Sequence, residues 1–119
     1  MILFLVRVNL SVAMDGVVII STYPDKKSVL KIANIVVKKQ LAACVNFTKI
    51  HSIYTWQNKL ENTQEFLVLF KTTNKAKASL KKEIQKSHPY QVPEIMELEI
   101  NSINKSYLEW LIGSTRNKS

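Results

Sequence analysis

The sequence has little of three residue types on which many functional sites depend. Its 119 residues include one cysteine, two glycines and three prolines. The lone cysteine, Cys44, excludes an internal disulfide and favours a reducing, cytoplasmic compartment. Two glycines are too few for a phosphate-cradling loop, and neither a Walker motif nor a dinucleotide-binding motif is present. No apolar run approaches the ~20 residues of a membrane-spanning helix, so no membrane association is expected.

The composition favours one folded domain. Hydrophobic residues make up 46% of the chain, which is enough to form a core. The net charge is +8, from 17 basic and 9 acidic residues, and it would attract anions. The lysines nevertheless fall mainly on the exposed faces of predicted helices and lack interleaved aromatic residues, so a nucleic-acid partner is not expected.

The first 14 residues form a separate N-terminal extension in this interpretation, and residues 15–119 form the domain. Apolar and polar residues alternate from Val6 to Ala13, as in a half-buried strand. Two interpretations remain open for this extension. It is either an extra edge strand or a stretch upstream of a chain that properly begins near Met14.

The rest of the pattern predicts an α+β fold. Its β-α-β-β-α-β order with an added C-terminal helix is the ferredoxin-like plan. The turn at Gln57-Asn58-Lys59 predicts a hairpin, and Asp25, Asn74 and Asn104 are expected to cap the helices. The predicted strands cover residues 17–23, 41–56, 65–73 and 95–100, and the helices begin at residues 26, 75 and 105. Glu97 and Glu99 are expected to face solvent on the last strand. The last helix is expected to turn four residues inward: Tyr107, Leu108, Leu111 and Ile112.

The connection over residues 87–95 is the first place to look for function. Pro89 and Pro93 stiffen it, and it holds His88, Tyr90 and Glu94 in set directions. The competing interpretation is a plain helix-to-strand turn in which the prolines only stop the helix.

Neighbouring strands carry further polar and aromatic residues that converge on a predicted cleft with His88, Tyr90 and Glu94. Trp56, near the hairpin end, suits a ligand wall or a subunit interface. Glu61, Glu65 and Lys71 lie on or near the return strand. No metal-ligand spacing is visible within any short stretch, and no base–nucleophile pair can be defended, so the protein is not expected to be an enzyme.

Several segments together resemble the CutA divalent-cation tolerance family. The resemblance runs from about Val17 to Ser114. It rests on STYPD at 21–25, LAACVN at 41–46, YTWQNKLE at 54–61, Glu65 with FKTT at 70–73, HPYQVPEI at 88–95 and YLEWL at 107–111. It implies a ferredoxin-like subunit in a homotrimer similar in architecture to PII signalling proteins. It also implies a cleft between subunits near Trp56, Lys71, His88, Tyr90 and Glu94.

The resemblance further implies binding and tolerance of a divalent cation, copper or zinc. Copper-binding members place a cysteine and a second histidine where this chain has Ser21 and Ser87, which leaves His88 as the expected metal ligand. Serine is a poor ligand for a soft ion, so zinc held by His88 and carboxylates is the more plausible form. The alternative function is a PII-like signalling or scaffold trimer that binds a small anionic ligand or a partner protein. Lys71 would then supply charge, and Tyr90 and Trp56 the walls.

Overall fold

The computed structural model describes residues 15–115, in which strands and helices follow the predicted order. The elements are β1 (Gly16–Tyr23), α1 (Lys26–Lys38), β2 (Cys44–Trp56), β3 (Lys59–Thr73), α2 (Lys77–Ser87), β4 (Met96–Glu99) and α3 (Lys105–Gly113). The strand predicted within the first 14 residues lies outside the described part. No helix in residues 15–115 is long and apolar enough to cross a membrane.

The four strands form one antiparallel sheet in the order β2-β3-β1-β4. This order confirms the ferredoxin-like prediction. β1 is central because its residues are apolar on both faces, and β2 and β4 are the edges. α1 and α2 cover one face, against which alternate residues of β1 and β3 pack. The largest fully buried side chains on this face include Ile19, Tyr23, Val29, Ile32, Val36, Val68, Phe70, Leu80 and Ile84.

The helix starts follow local hydrogen bonding. Asp25 caps α1 as predicted, since its Oδ1 accepts the Ser28 N–H at 2.8 Å. The predicted cap of α2 at Asn74 is wrong. The Thr73 hydroxyl oxygen accepts the Ala76 N–H at 3.3 Å, and the helix begins at Lys77. Ala76 occupies the cap position without a side-chain cap bond, and the Thr73 hydroxyl closes the turn that precedes the helix.

The end of α1 contains a residue in the left-handed region. Gln40 has φ 58°, and its N–H donates to the Val37 carbonyl at 3.0 Å. Glycine adopts this conformation without the steric cost that a side chain brings. Gln40→Gly is therefore expected to raise the free energy of unfolding by about 0.5–1 kcal/mol in a denaturant titration. Gln64→Gly, at an exposed position inside β3, is the matched control and should lower it.

The outer strand β4 is oriented opposite to the prediction. Glu97 was expected to face solvent, yet its carboxylate accepts hydrogen bonds from Lys77 (2.6 Å) and Lys81 of α2. Met96 and Leu98 consequently point to the face without α1 and α2, and Leu98 is 53% exposed. The orientation of β4 depends on Lys77 and Lys81 of α2, which the residue pattern of the strand itself does not include.

The last helix is also less buried than its pattern indicated. Leu108 and Leu111 are buried as predicted, against Ala43, but Ile112 is 39% exposed. Asn104 occupies the cap position without a side-chain bond to the helix backbone. α3 therefore presents a narrow apolar stripe to the rest of the domain.

The β2–β3 hairpin extends beyond the core. Its turn residues Gln57 and Asn58 have φ 51° and 65°, which confirms the predicted hairpin tip. No residue from 51 to 64 is buried, and Ile53 and Leu60 are 68% and 77% exposed. The hairpin is thus a long arm, largely polar, on which a few large apolar side chains are exposed in a single chain.

Candidate functional site

A groove of about 740 Å³ runs between the β2–β3 hairpin and the 88–95 segment. The groove is wide enough for a small organic molecule. Strand residues form one side and the proline-stiffened segment forms the other. The lining residues are Thr22, Ile50, Ser52, Ile53, Tyr54, Trp56, Glu65, Leu67, Pro89, Tyr90, Gln91, Val92 and Glu94.

His88 fastens the 88–95 segment to β1. Its Nδ1 accepts the Tyr90 N–H at 3.1 Å and is therefore unprotonated. Its Nε2 must then carry the hydrogen, which it donates to the Thr22 carbonyl at 2.9 Å, with Ser21 Oγ at 3.2 Å. Both ring nitrogens are engaged, so this histidine holds the groove wall in place.

Aromatic rings surround the imidazole. The Tyr23 ring centroid lies 4.2 Å from that of His88, and the Tyr90 centroid lies 5.1 Å away. Burial lowers the pKa of His88, and the hydrogen bond to the Thr22 carbonyl opposes this only in part. The ring is consequently neutral near pH 7, as its two hydrogen bonds require.

Two carboxylates make the groove acidic. Glu65 is only 8% exposed, and its Oε1 accepts the Tyr90 hydroxyl hydrogen at 2.8 Å. Burial raises the pKa of Tyr90, and the Glu65 hydrogen bond and charge raise it further. Burial also raises the pKa of Glu94, and the negative charge of Glu65 adds to this. Among residues 15–115, no lysine, arginine or histidine lines the groove, so these residues give the carboxylates no cationic neighbour there.

The structure brings four of the seven predicted site residues together. Trp56, Glu65, Tyr90 and Glu94 line the groove. His88 lies behind its wall, bonded to Tyr90. Glu61 lies four residues nearer the hairpin tip than Glu65, where it pairs with Tyr54. It is on the same face of the sheet as Glu65 but is not among the lining residues.

Lys71 does not join the groove. It pairs with Cys44 and Val18 at the opposite end of the sheet, and its Nζ lies 5.7 Å from the centroid of the Tyr107 ring. It lies six positions from Glu65 along β3, which corresponds to about 20 Å. Within one chain, the predicted cleft is therefore acidic at this site and does not contain the predicted lysine.

Sequence reasoning missed the partners of His88. The Thr22 carbonyl and the Ser21 hydroxyl contact a ring that lies 66 and 67 residues away along the chain. Only the packing of the 88–95 segment against β1 creates these contacts, and no local pattern signals them.

The side chains that could ligate a metal ion suit some ions better than others. Within residues 15–115, no three His, Cys, Asp or Glu side chains converge in a way that could hold a metal ion. The engaged nitrogens of His88 do not fit metal ligation in this geometry, and Cys44 lies beside Lys71, away from the groove. The oxygens of Glu65 and Glu94 suit a hard or borderline divalent ion better than soft copper(I).

Comparison with known proteins agrees with this fold. The family model described as "CutA1 divalent ion tolerance protein" matches residues 17–114. A divalent-cation tolerance protein CutA from Thermus thermophilus is 44% identical over 86% of this chain and 99% of its own length. A chloroplastic CutA from Arabidopsis thaliana is 37% identical over 90% of this chain and 59% of its own length.

A solved structure extends the likeness to three dimensions. The periplasmic divalent cation tolerance protein CutA from Archaeoglobus fulgidus superposes with a TM-score of 0.82 at 31% identity, covering 85% of this chain and 99% of that protein. The sequence match and the shared fold span the same stretch of the chain, which includes both sides of the groove. This chain belongs to the CutA1 divalent ion tolerance family.

Proposed function

We propose that the protein is a homotrimer that binds a divalent cation in the acidic groove and so contributes to tolerance of such ions. One observation carries the proposal: Glu65 and Glu94 share a groove that no cationic side chain of the described part of the chain lines. Two carboxylates without a counter-ion attract a cation, and burial strengthens this attraction because water screens the charges less. Membership of a divalent ion tolerance family supports the same conclusion.

The donor set, two carboxylates and no thiolate, fits a hard or borderline divalent ion and does not fit soft copper(I). Glu65 and Glu94 would supply oxygen ligands, and His88 would position Tyr90 without touching the ion. Direct ligation by His88, as the sequence predicted, is the competing version of the site. Ligation through a ring nitrogen would break the hydrogen bond of the imidazole with either the Tyr90 N–H or the Thr22 carbonyl.

The surface of a single chain supports assembly into a trimer. The edge strands β2 and β4 have no neighbour on their outer sides within residues 15–115. Ile53, Leu60, Met96 and Leu98 are each about half exposed or more, which is unusual for a monomer of this size. Pairing of edges between copies would satisfy the free backbone groups and cover these side chains.

The alternative, a PII-like trimer that binds an anionic ligand or a partner protein, has less support. Binding of an anionic ligand would need a positive charge beside Tyr90 and Trp56. Lys71 of the same chain lies at the other end of the sheet. A catalytic role has no support either. The hydroxyl beside His88, that of Ser21, is fully buried and faces a ring nitrogen that carries a hydrogen, so His88 cannot take its proton. A reducing, cytoplasmic location stays a prediction from Cys44 alone, since relatives are described as chloroplastic and periplasmic.

Titration calorimetry of the metal-stripped protein with zinc, copper and magnesium tests the proposed site. Zinc is expected to bind more tightly than magnesium. Glu65→Gln and Glu94→Gln are each expected to weaken zinc binding at least about 10-fold, the loss of one charged ligand. Glu99→Gln, on the exposed outer strand, is the matched control and should leave it unchanged. Unchanged zinc affinity in both groove variants would contradict the proposal.

A further inference from the structure

The two helices on the covered side of the sheet carry most of the positive charge of the chain. Residues 26–39 and 75–87, which include α1 and α2, hold ten of the 17 basic residues and one of the nine acidic residues. The rest of the chain has seven basic and eight acidic residues and is nearly neutral. The net charge of +8 is therefore concentrated on the side of the sheet opposite Met96 and Leu98.

Several of these lysines lie on the outer surface of the helices, away from the sheet. Successive residues of an α-helix are about 100° apart around its axis. Lys27, Lys31 and Lys38 therefore lie on the side of α1 away from its buried stripe, and Lys82 lies opposite the buried stripe of α2. All four are exposed and form no salt bridge within residues 15–115.

The single acidic residue in the two segments already has cationic partners. The Glu83 carboxylate lies 2.8 Å from the Lys39 ammonium and 3.9 Å from that of Lys86. Its charge therefore does not balance the lysines on the outer surface.

This distribution of charge does not serve the stability of the helices. Apart from the Asp25 cap, neither helix begins with an acidic residue, and Lys26 and Lys27 occupy the start of α1, where the helix dipole disfavours cations. Lys27 and Lys31 are four residues apart on one face, and like charges at this spacing destabilise a helix. Charge that works against the local structure indicates an anionic partner.

The outer surface offers ammonium groups and little else. Residues 26–39 and 75–87 contain no arginine and no aromatic residue, so they cannot clamp or stack on a nucleic-acid base. Leu30 and Val37 are each 42% exposed, but each follows a buried valine by one residue and so lies on a flank of α1. Insertion into a membrane would need them on the outermost side. The surface suits a ligand made of anionic oxygens alone.

We propose that the outer surface of α1 and α2 binds inorganic polyphosphate, whose phosphate groups contact the ammonium groups of Lys27, Lys31, Lys38 and Lys82. Polyphosphate is a flexible linear anion with a negative charge on every unit. Lysine binds phosphate as a point charge on a flexible stem, which suits a chain without fixed shape. The proposal depends on neither the trimer nor the cation site, because the open face of the sheet takes no part in it.

Titration calorimetry of the metal-stripped full chain with inorganic polyphosphate tests the proposal. Binding is expected at low salt and should weaken as salt screens the charges. The Lys31→Gln, Lys38→Gln, Lys82→Gln triple variant is expected to bind at least about 10-fold more weakly, with a smaller salt dependence because fewer charge contacts remain. Glutamine and lysine have similar helix propensities, so this variant should fold normally and keep its zinc affinity.

A second triple variant is the matched control. Lys49→Gln, Lys59→Gln, Lys105→Gln removes the same net charge from exposed positions outside the two segments. It should bind polyphosphate nearly as tightly as the unmodified chain. Equal affinity in the two triple variants would overturn the proposal, because binding would then depend on net charge alone.

The remaining outcomes separate this proposal from other partners and from the proposed function. A chain that binds zinc but no polyphosphate would overturn this proposal alone, and the reverse result would overturn the cation site alone. Tighter binding of duplex DNA, of polyglutamate or of phosphatidylserine vesicles, at equal concentrations of charge, would also overturn it. The surface would then be assigned to that class of partner.

Discussion

Leu98→Lys is expected to convert the trimer into monomers. Leu98 is 53% exposed on the edge strand β4, on the face that α1 and α2 leave open. If that face is covered by neighbouring copies, a lysine there places an unpaired charge in an apolar contact three times per assembly. Each such charge costs about 3–5 kcal/mol, which is enough to move the equilibrium to single chains at micromolar concentration.

Size-exclusion chromatography with light scattering measures the effect directly. Leu30→Lys is the matched control, because Leu30 is 42% exposed on α1, on the opposite side of the sheet. It should remain trimeric. A trimer that survives Leu98→Lys and dissociates with Leu30→Lys would show that the helical side forms the interface.

His88→Ala is expected to lower the free energy of unfolding by about 2–4 kcal/mol. The change leaves the Thr22 carbonyl and the Tyr90 N–H without their partner and removes a ring stacked on Tyr23. His88→Gln retains one donor and should lose about half as much. Ser87→Ala is the control, since its hydroxyl makes only one exposed bond, to the Glu83 carbonyl at 3.3 Å. Denaturant titrations at equal protomer concentration give these values.

The pH dependence distinguishes a structural role for His88 from a generic loss of packing. Because the pKa of His88 is lower in the fold than in the unfolded chain, protonation favours unfolding. The contribution of His88 is complete above about pH 6.5 and is lost as the pH falls through the lowered pKa. His88→Ala should lack this part of the pH profile. Unchanged stability in His88→Ala together with lost zinc binding would instead establish direct ligation.

Much of the fold followed from the sequence because its signals are local. The β-branched run at β1, the helical spacing of Val29, Ile32 and Val36 and the hairpin turn each depend on near neighbours. Where the deciding contact was distant, the prediction was wrong. Glu97 lies on the helix-covered face because Lys77 and Lys81 of α2 bind its carboxylate. The start of α2 lies at Lys77, after a turn closed by Thr73, and Asn74 does not cap it.

The site was harder to predict than the fold for the same reason. Proline spacing drew attention to the 88–95 segment, and the sequence predicted that Trp56 and Glu65 converge on a cleft, where both line the groove. The sequence could not reveal that both ring nitrogens of His88 form hydrogen bonds, one with the Thr22 carbonyl of β1 and one with the Tyr90 N–H. These bonds change its expected role from metal ligand to support of the groove wall. Nor could it reveal that Lys71 lies too far along β3 to reach the groove.

Native mass spectrometry of the metal-stripped protein titrated with zinc tests the central claim most directly, since it reports assembly and metal content together. The account predicts a trimer that takes up as many as three zinc ions, one for each groove. It further predicts that the Glu65→Gln, Glu94→Gln double variant stays trimeric and takes up none. A trimer that binds no zinc, or a double variant that binds as much as the unmodified chain, would contradict it.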